Sequence, residues 1–240
     1  MLFQLTPLQE MLSRWSKQKA VRLDIPLLDE FLGGLLPYQL QMCLGDSGVG
    51  KTWFCINAIR KLLTHEPDAL IFYSDFGGNF RINNLRKLLS HPNEQLDQLT
   101  IFQPSSLLEQ IVFFRNLLEN CEFYYDLIIL DSVFGPPLAC YEYFHNNSKF
   151  WKKKIFAHLL DLKTIARQAK IPILITNQFI SSRENSELPP SLNQYGGDLI
   201  DQLVPIVFFL QKIDQKLYVE LRLFQEIICH SELCLLRDES

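Results

Sequence analysis

Eight consecutive residues of this chain fit the pattern G-x-x-x-x-G-K-T, which wraps backbone N–H groups around phosphates. Glycines let the backbone approach phosphate oxygens closely, Lys51 offers a charge to the β- and γ-phosphates, and the Thr52 hydroxyl can bind Mg²⁺. The flanking residues predict a strand over 39–44 and a helix over 53–63, whose positive end favours anions. We therefore predict a nucleotide site formed by Gly45, Asp46, Ser47, Gly48, Val49, Gly50, Lys51 and Thr52.

Two later strand ends carry polar side chains that complete such a site. Residues 127–130 are apolar and run directly into Asp131, which predicts a carboxylate at a strand tip that orients the bound metal. A second apolar run ends in Thr176, Asn177 and Gln178. These amides are either a turn-favouring polar pair or a sensor of the γ-phosphate. Because both nucleotide motifs are present, we favour Gln178 as the sensor.

The elements that must position these residues alternate between strands and helices. Apolar runs predict strands over 69–74, 125–130, 171–176 and 204–210, and helical patterns fall over 23–32, 80–89, 107–121 and 151–169. This alternation is typical of an α/β protein with a mostly parallel sheet covered by helices on both faces. The segments 216–224 and 226–236 have no long helix between them and predict an antiparallel C-terminal edge.

The first twenty residues differ from the rest and predict an N-terminal helical arm. Leu8, Met11, Leu12 and Trp15 recur at helical spacing and give the arm one apolar face. This face docks either on the protein's own core or on a neighbouring subunit, and we favour the first. Residues 21–240 then form a single core domain.

Composition limits the classes of function. The chain of 240 residues is 48% hydrophobic and has a formal net charge of −4, so it lacks the basic excess of a nonspecific nucleic-acid binder. No apolar run reaches membrane-spanning length, and the N-terminus shows no signal-peptide pattern. Six cysteines without zinc-site spacing predict reduced, mostly buried thiols in an intracellular protein. They are Cys43, Cys55, Cys121, Cys140, Cys229 and Cys234.

The order of these motifs resembles the core of the RecA/RadA recombinase family, and most closely its short archaeal RadB-like branch. The resemblance covers residues 21–240 and rests on the segments 27–34, 45–52, 71–75, 127–132, 176–178 and 196–198. It implies a RecA-type P-loop fold, ATP with Mg²⁺ as ligands, and a role in homologous recombination and DNA repair. It also implies two DNA-facing loops, near 133–150 and 179–197. The expected location is the cytoplasm or nucleoid in an archaeon, or the nucleus in a eukaryote.

The chain departs from this family at the position of the catalytic base. Active recombinases carry a glutamate two residues beyond the aspartate that corresponds to Asp75, and here that position is Gly77. No acidic residue occurs between Asp75 and Glu94. Loss of a general base lowers a rate by about 10² to 10⁴. We therefore expect a weak ATPase, in which Lys51, Asp75 acting through a water, and Gln178 serve the residual reaction.

The expected DNA contacts are sparse. A basic, aromatic segment at the start of a predicted helix combines charge with stacking surfaces, as single-strand binders do. The alternative is a solvated helix start with Phe150 and Trp151 turned into the core, and we favour it. The candidate DNA-binding residues are Lys149, Trp151, Lys152, Lys153, Lys154 and, in the second loop, Arg183.

These observations favour an accessory recombinase paralogue. Because only about twenty residues precede the predicted core, we expect no separate N-terminal DNA-binding domain. Its expected partners are single-stranded DNA, a main recombinase or another paralogue, and further copies of the chain, but no membrane. The alternative is an ATP-hydrolysing RecA-fold motor or a KaiC-like switch ATPase outside recombination. A small-molecule kinase is disfavoured, because no arginine cluster lies near the expected loops.

Overall fold

The computed structural model describes residues 20–121, 123–135, 148–178, 197–214, 216–224 and 226–232. The helices are α1 (Pro26–Leu32), α2 (Lys51–His65), α3 (Ile82–Leu88), α4 (Pro92–Leu96), α5 (Leu107–Asn120), α6 (Ser148–Ala169) and α7 (Gly197–Leu203). The strands are β1 (Leu40–Gly45), β2 (Ile71–Ser74), β3 (Leu99–Phe102), β4 (Leu127–Leu130), β5 (Ile173–Asn177), β6 (Ile206–Ile213), β7 (Lys216–Leu223) and β8 (Glu226–Glu232).

The eight strands form one sheet in the order β3-β2-β4-β5-β1-β6-β7-β8. All neighbouring pairs from β3 to β6 are parallel, whereas β6–β7 and β7–β8 are antiparallel. The predicted α/β class, the mostly parallel sheet and the antiparallel C-terminal edge are therefore confirmed. Because parallel strands end at the same edge, the carboxyl ends of β1, β4 and β5 lie side by side. The residues that follow these three strands are the predicted site residues.

Helices cover both faces of the sheet, as predicted. On one face α1, α2 and α3 pack on residues such as Cys43 and Tyr73. On the other face α5, α6 and α7 pack on residues such as Met42 and Ile128. Adjacent residues of β1 point to opposite faces and are all buried, which explains why apolar residues occur on both faces of this strand. The buried exception is Gln41, whose amide exchanges two hydrogen bonds with the Leu36 backbone.

Some element boundaries differ from the predictions for local reasons. The strand predicted over 204–210 begins only at Ile206, because the Val204 N–H still closes α7 by donating to Ile200 O at 2.8 Å. Pro205 has no N–H to offer the sheet. The short edge strand β3 was not predicted, because only four residues form it and its middle two, Thr100 and Ile101, are exposed. The helices α4 and α7 were also not predicted.

The cysteine prediction holds for only part of the chain. Cys43 and Cys55 are buried and free, and burial raises the pKa of both thiols. Cys121 is exposed and Cys229 is half-buried, so the prediction that the thiols are mostly buried is wrong for these two. Cys121 ends α5 with a φ of 54°, a left-handed position that turns the chain out of the helix. The predicted arm over 1–20 lies outside the described residues apart from Ala20, as do Cys140 and Cys234.

The helices α5 and α6 meet through a polar and aromatic contact. Arg115 forms an ion pair with Asp161 at 2.8 Å, and the Phe114 and His158 ring centroids lie 5.8 Å apart. His158 is fully buried, and neither ring nitrogen has a hydrogen-bond partner among the described residues. Burial, aided by the positive charge of Arg115, lowers the pKa of His158 to about 3.

This burial predicts a loss of stability in acid. Above pH 6.5 His158 is neutral in both states, but between pH 6.5 and 3 only the unfolded chain takes up the proton. At pH 5 the loss amounts to about 2 kcal/mol of unfolding free energy. His158→Phe should remove this loss, so denaturant titrations should show a smaller drop from pH 8 to pH 5. His91→Gln, at an exposed histidine, should retain the full drop, and an unchanged drop in His158→Phe would contradict the assignment.

Candidate functional site

The predicted phosphate loop joins the end of β1 to the start of α2. Gly45 lies so close to β6 that a Cβ on it would come within 2.7 Å of Leu210 O. Gly50 caps α2 with a φ of 114°, a conformation that side chains rarely adopt. Glycine is therefore required at both ends of the loop, and the first turn of α2 presents backbone N–H groups to the same space.

Lys51 folds back over this loop. Its Nζ donates hydrogen bonds to Gly45 O at 2.9 Å and to Asp46 O at 2.7 Å. Burial lowers the pKa of Lys51, while the nearby carboxylates of Asp131 and Asp46 oppose that shift. The ammonium group thus lies at the mouth of the loop, where a phosphate oxygen would be its natural partner.

Asp131 connects the loop to three strands. Thr52 Oγ1 and Tyr73 OH each donate to Asp131 Oδ2 at 2.7 Å, and Thr176 Oγ1 donates to Oδ1 at 2.6 Å. The parallel register pairs Leu130 with Ile175, which brings Asp131 and Thr176 together one residue later. A carboxylate with only 4% exposure needs such donors, because an unpaired buried charge is costly.

Tyr73 was not predicted as part of the site. Burial, with the adjacent Asp131 carboxylate as a further cause, raises the pKa of Tyr73 well above its usual range. The phenol is therefore protonated and can donate its hydrogen bond to Asp131. The sequence held one signal, since Tyr73 lies one residue before the end of a strand that pairs with β4.

A cavity of about 540 Å³ opens between the phosphate loop and the carboxyl ends of the strands. Its volume is within the range of small-molecule sites. Its walls include predicted residues from the loop and from the positions directly after β4 and β5, together with residues that were not predicted. They are Ser47, Gly48, Gly50, Lys51, Thr52, Trp53, Ile56, Gly77, Asn79, Asn84, Asp131, Ser132, Gly135, Thr176 and Gln178.

Asp75 does not line this cavity, so the structure does not place it as a base. Its carboxylate is 3% exposed and accepts hydrogen bonds from Asn79 N at 3.0 Å and Gln103 Nε2 at 3.2 Å. A third donor, Phe80 N, lies at 3.4 Å. Asp75 therefore fixes the turn between β2 and α3 and joins it to the end of β3.

Gly77 lines the cavity where the family resemblance implies a glutamate. Its N–H donates to Asp131 O at 3.0 Å, which holds the turn after β2 against the end of β4. The neighbouring Phe76 makes a second contact, because a Cβ on Gly135 would lie only 2.5 Å from its ring. The turn after β2 and the segment after β4 thus contact each other at two points.

Gln178 lines the cavity, and its role as a sensor stays a prediction. Its N–H donates to Asn177 Oδ1 at 2.9 Å, so the first amide of the pair shapes the turn and the second reaches the cavity. The loop that follows, from 179 to 196, lies outside the described residues, and so does Arg183.

The basic segment begins α6. Its four lysines, Lys149, Lys152, Lys153 and Lys154, are all exposed. Trp151 is half-buried and packs on the core, as the helix-start alternative predicts. The same alternative is wrong for Phe150, which is 48% exposed because a residue one position earlier points about 100° away on a helix. Lys154 Nζ lies 5.7 Å from the Phe150 ring centroid.

The donor set suits a polyphosphate with a hard cation. Thr52 and Asp131 supply the oxygen atoms that Mg²⁺ prefers, and Lys51 with the loop N–H groups suits phosphate oxygens. Within the described ranges, no group of three or more His, Cys, Asp or Glu side chains could hold a metal ion by itself. None of the helices that the structure describes is long and apolar enough to cross a membrane.

The chain is similar in sequence to known DNA repair and recombination proteins. No protein-family model matches the chain. The DNA repair and recombination protein RadB of Thermoplasma volcanium is 24% identical over 207 residues, covering 86% of this chain and 84% of that protein. RadB of Methanoculleus marisnigri is 25% identical over 191 residues, covering 78% of this chain and 80% of that protein.

A crystal structure of the RadB recombinase has the same fold. It superposes with a TM-score of 0.70 and 23% sequence identity, over 88% of this chain and 94% of that one. The predicted resemblance is therefore confirmed: in sequence over most of its length, and in its RecA-type fold, this chain is similar to the RadB-like recombinases.

Proposed function

We propose that this protein binds ATP with Mg²⁺ and acts in DNA recombination and repair as an accessory recombinase paralogue with weak ATPase activity. The names of both RadB relatives, which describe DNA repair and recombination proteins, support the biological role. The chain's similarity to them extends over most of its length. An intracellular location follows from such a role.

One observation carries the nucleotide-binding part of this proposal. The Thr52 hydroxyl lies 2.7 Å from the Asp131 carboxylate, although the two residues are 79 positions apart in the sequence. Thr52 would bind Mg²⁺ directly and Asp131 would orient its water ligands, so the metal would neutralise charge on the phosphates. Lys51 and the N-terminal turn of α2 would hold the phosphate oxygens.

Two features support slow hydrolysis. Gly77 offers no side chain at the position that the family resemblance gives to the base, and Asp75 is occupied by the turn that it holds. Gln178 lines the cavity and would position the attacking water or sense the γ-phosphate, but an amide cannot take up a proton. Because hydrolysis would be slow, the ATP-bound state of the protein would be long-lived.

The partners we propose are single-stranded DNA, a main recombinase or another paralogue, and further copies of this chain. The lysines at the start of α6 support DNA binding, because they are exposed and adjoin the exposed Phe150 ring. The half-burial of Trp151 limits its share in base stacking. The overall charge of −4 means that any DNA contact depends on this local group of lysines.

Lys51→Ala tests the phosphate site. Charge-assisted hydrogen bonds contribute about 1.5–3 kcal/mol, so the variant should bind Mg·ATP about ten- to hundredfold more weakly in calorimetric titrations. Lys61→Ala is a matched control, because this lysine lies on the same helix but pairs with Asp24 away from the cavity. Unchanged affinity in Lys51→Ala would contradict the site.

Gly77→Glu tests the missing base. A Cβ at this position would meet only the flexible end of Asn79 within 3 Å, so a side chain can be accommodated. We expect the wild-type protein to turn over well below about 1 s⁻¹ and the variant to be at least about tenfold faster. Gly77→Gln should stay slow, because an amide is no base. Ordinary enzyme rates in the wild-type protein would overturn the weak-ATPase proposal.

Replacing the lysines at 152–154 by glutamine tests DNA binding. Each phosphate contact to a single strand contributes about 0.7 to the slope of log K against log salt. The triple variant should therefore lose affinity for a single-stranded oligonucleotide and lower that slope by about 2. A control variant that removes Lys61, Lys170 and Lys212 instead should bind as the wild type does. Equal loss in both variants would show that only overall charge matters.

A further inference from the structure

A buried amide behind the cavity contacts both chain segments that flank Asp131. Gln110 lies on α5, is fully buried and does not line the cavity. Its Oε1 accepts a hydrogen bond from Ser74 Oγ at 2.9 Å, and its Nε2 donates to Val133 O at 2.9 Å. One side chain of α5 thus binds the end of β2 and the segment after β4 at the same time.

Both contacts lead to Asp131. On one side, Asp131 N donates to Ser74 O at 2.8 Å. On the other side, Val133 N donates to Thr176 O at 3.1 Å, and Thr176 Oγ1 donates to Asp131 Oδ1 at 2.6 Å. Asp131 is therefore held in place through Ser74 and through Val133, and both of these residues bind Gln110.

An amide is the side-chain group that this position requires. Ser74 Oγ needs an acceptor and Val133 O needs a donor, and the tip of a glutamine side chain offers one of each. Ser74 and Val133 are fully buried, so water cannot replace a hydrogen bond that is lost here. An apolar side chain of similar length would fill the same space and satisfy neither group. Gln110 therefore restricts the positions that are open to the chain around Asp131.

We propose that Gln110 is a positioning residue for the metal site, because it holds the Asp131 carboxylate beside the Thr52 hydroxyl. It acts through the chain on both sides of Asp131 and touches neither nucleotide nor metal. This inference rests on the proposed nucleotide function and adds to it a residue that neither the phosphate loop nor the strand-end motifs include. Outer contacts that orient metal-site residues change metal affinity by about 10- to 100-fold.

The test measures how much Mg²⁺ strengthens ATP binding, in calorimetric titrations of the full chain with Mg²⁺ and with EDTA. Gln110→Met should reduce the gain from Mg²⁺ about tenfold and leave ATP binding in EDTA unchanged. Gln95→Met is the matched control, because Gln95 is also buried and lies away from the cavity. Its amide likewise accepts one hydrogen bond, from His91 N, and donates one, to Leu63 O. This control should retain the full gain.

A double-variant cycle distinguishes positioning from general support of the fold. Asp131→Asn should lower the gain from Mg²⁺ by more than Gln110→Met does. The double variant should lose no more than Asp131→Asn alone, because Gln110 acts through that carboxylate. Losses that add up in the double variant would show that the two residues act separately, and this result would overturn the inference.

The remaining outcomes differ in what they reject. A full gain in Gln110→Met, or an equal loss in Gln95→Met, overturns the inference while the nucleotide site stands. If the wild-type protein binds ATP equally well with and without Mg²⁺, or does not bind it, the proposed function fails and the inference with it. Ser74→Ala removes only the hydroxyl donor to Gln110 and should lower the gain in the same direction. It serves as the test if Gln110→Met does not fold, and an unchanged gain in it would overturn the inference.

Discussion

The architecture of the site depends on one buried carboxylate. Asp131 accepts hydrogen bonds from three hydroxyl groups that belong to α2, β2 and β5. A carboxylate with only 4% exposure is stable only when such donors surround it. A shift in strand register would therefore leave the Asp131 carboxylate buried without its hydrogen-bond donors. The requirement to satisfy Asp131 therefore fixes the phosphate loop against the sheet. The same requirement explains why the site forms where three parallel strands end together.

The sequence predicted those parts of the fold and site that depend on local pattern. Buried strands such as β4 are continuous apolar runs, and the eight-residue loop is a spacing motif, so both are visible without knowledge of tertiary contacts. Tyr73 and Thr176 were harder to assign, because their role comes from the register between strands far apart in the sequence. The edge strand β3 was missed for a related reason: with one neighbour and exposed central residues, it lacks the apolar run of a buried strand.

Two predicted roles changed once contacts were known. Sequence position alone left Asp75 as the nearest acidic substitute for a base, but its hydrogen bonds show that it shapes the turn after β2. Phe150 and Trp151 are adjacent in sequence, yet helix geometry turns one to solvent and the other toward the core. In both cases the residue type indicated a possible role, but the direction of the side chain determined which contacts the residue makes. Direction follows from packing, which a single sequence does not display.

The double contact between the turn after β2 and the segment after β4 has a mechanical consequence. Gly77 N–H is bonded to Asp131 O, and the Phe76 ring rests on Gly135 where any Cβ would intrude. A hydrogen bond resists separation of the two segments, and a ring against a glycine resists compression between them. The two segments are therefore coupled by contact rather than independent. A displacement of the turn after β2 would therefore move residues 131–135, on the opposite side of the contact, in the same direction.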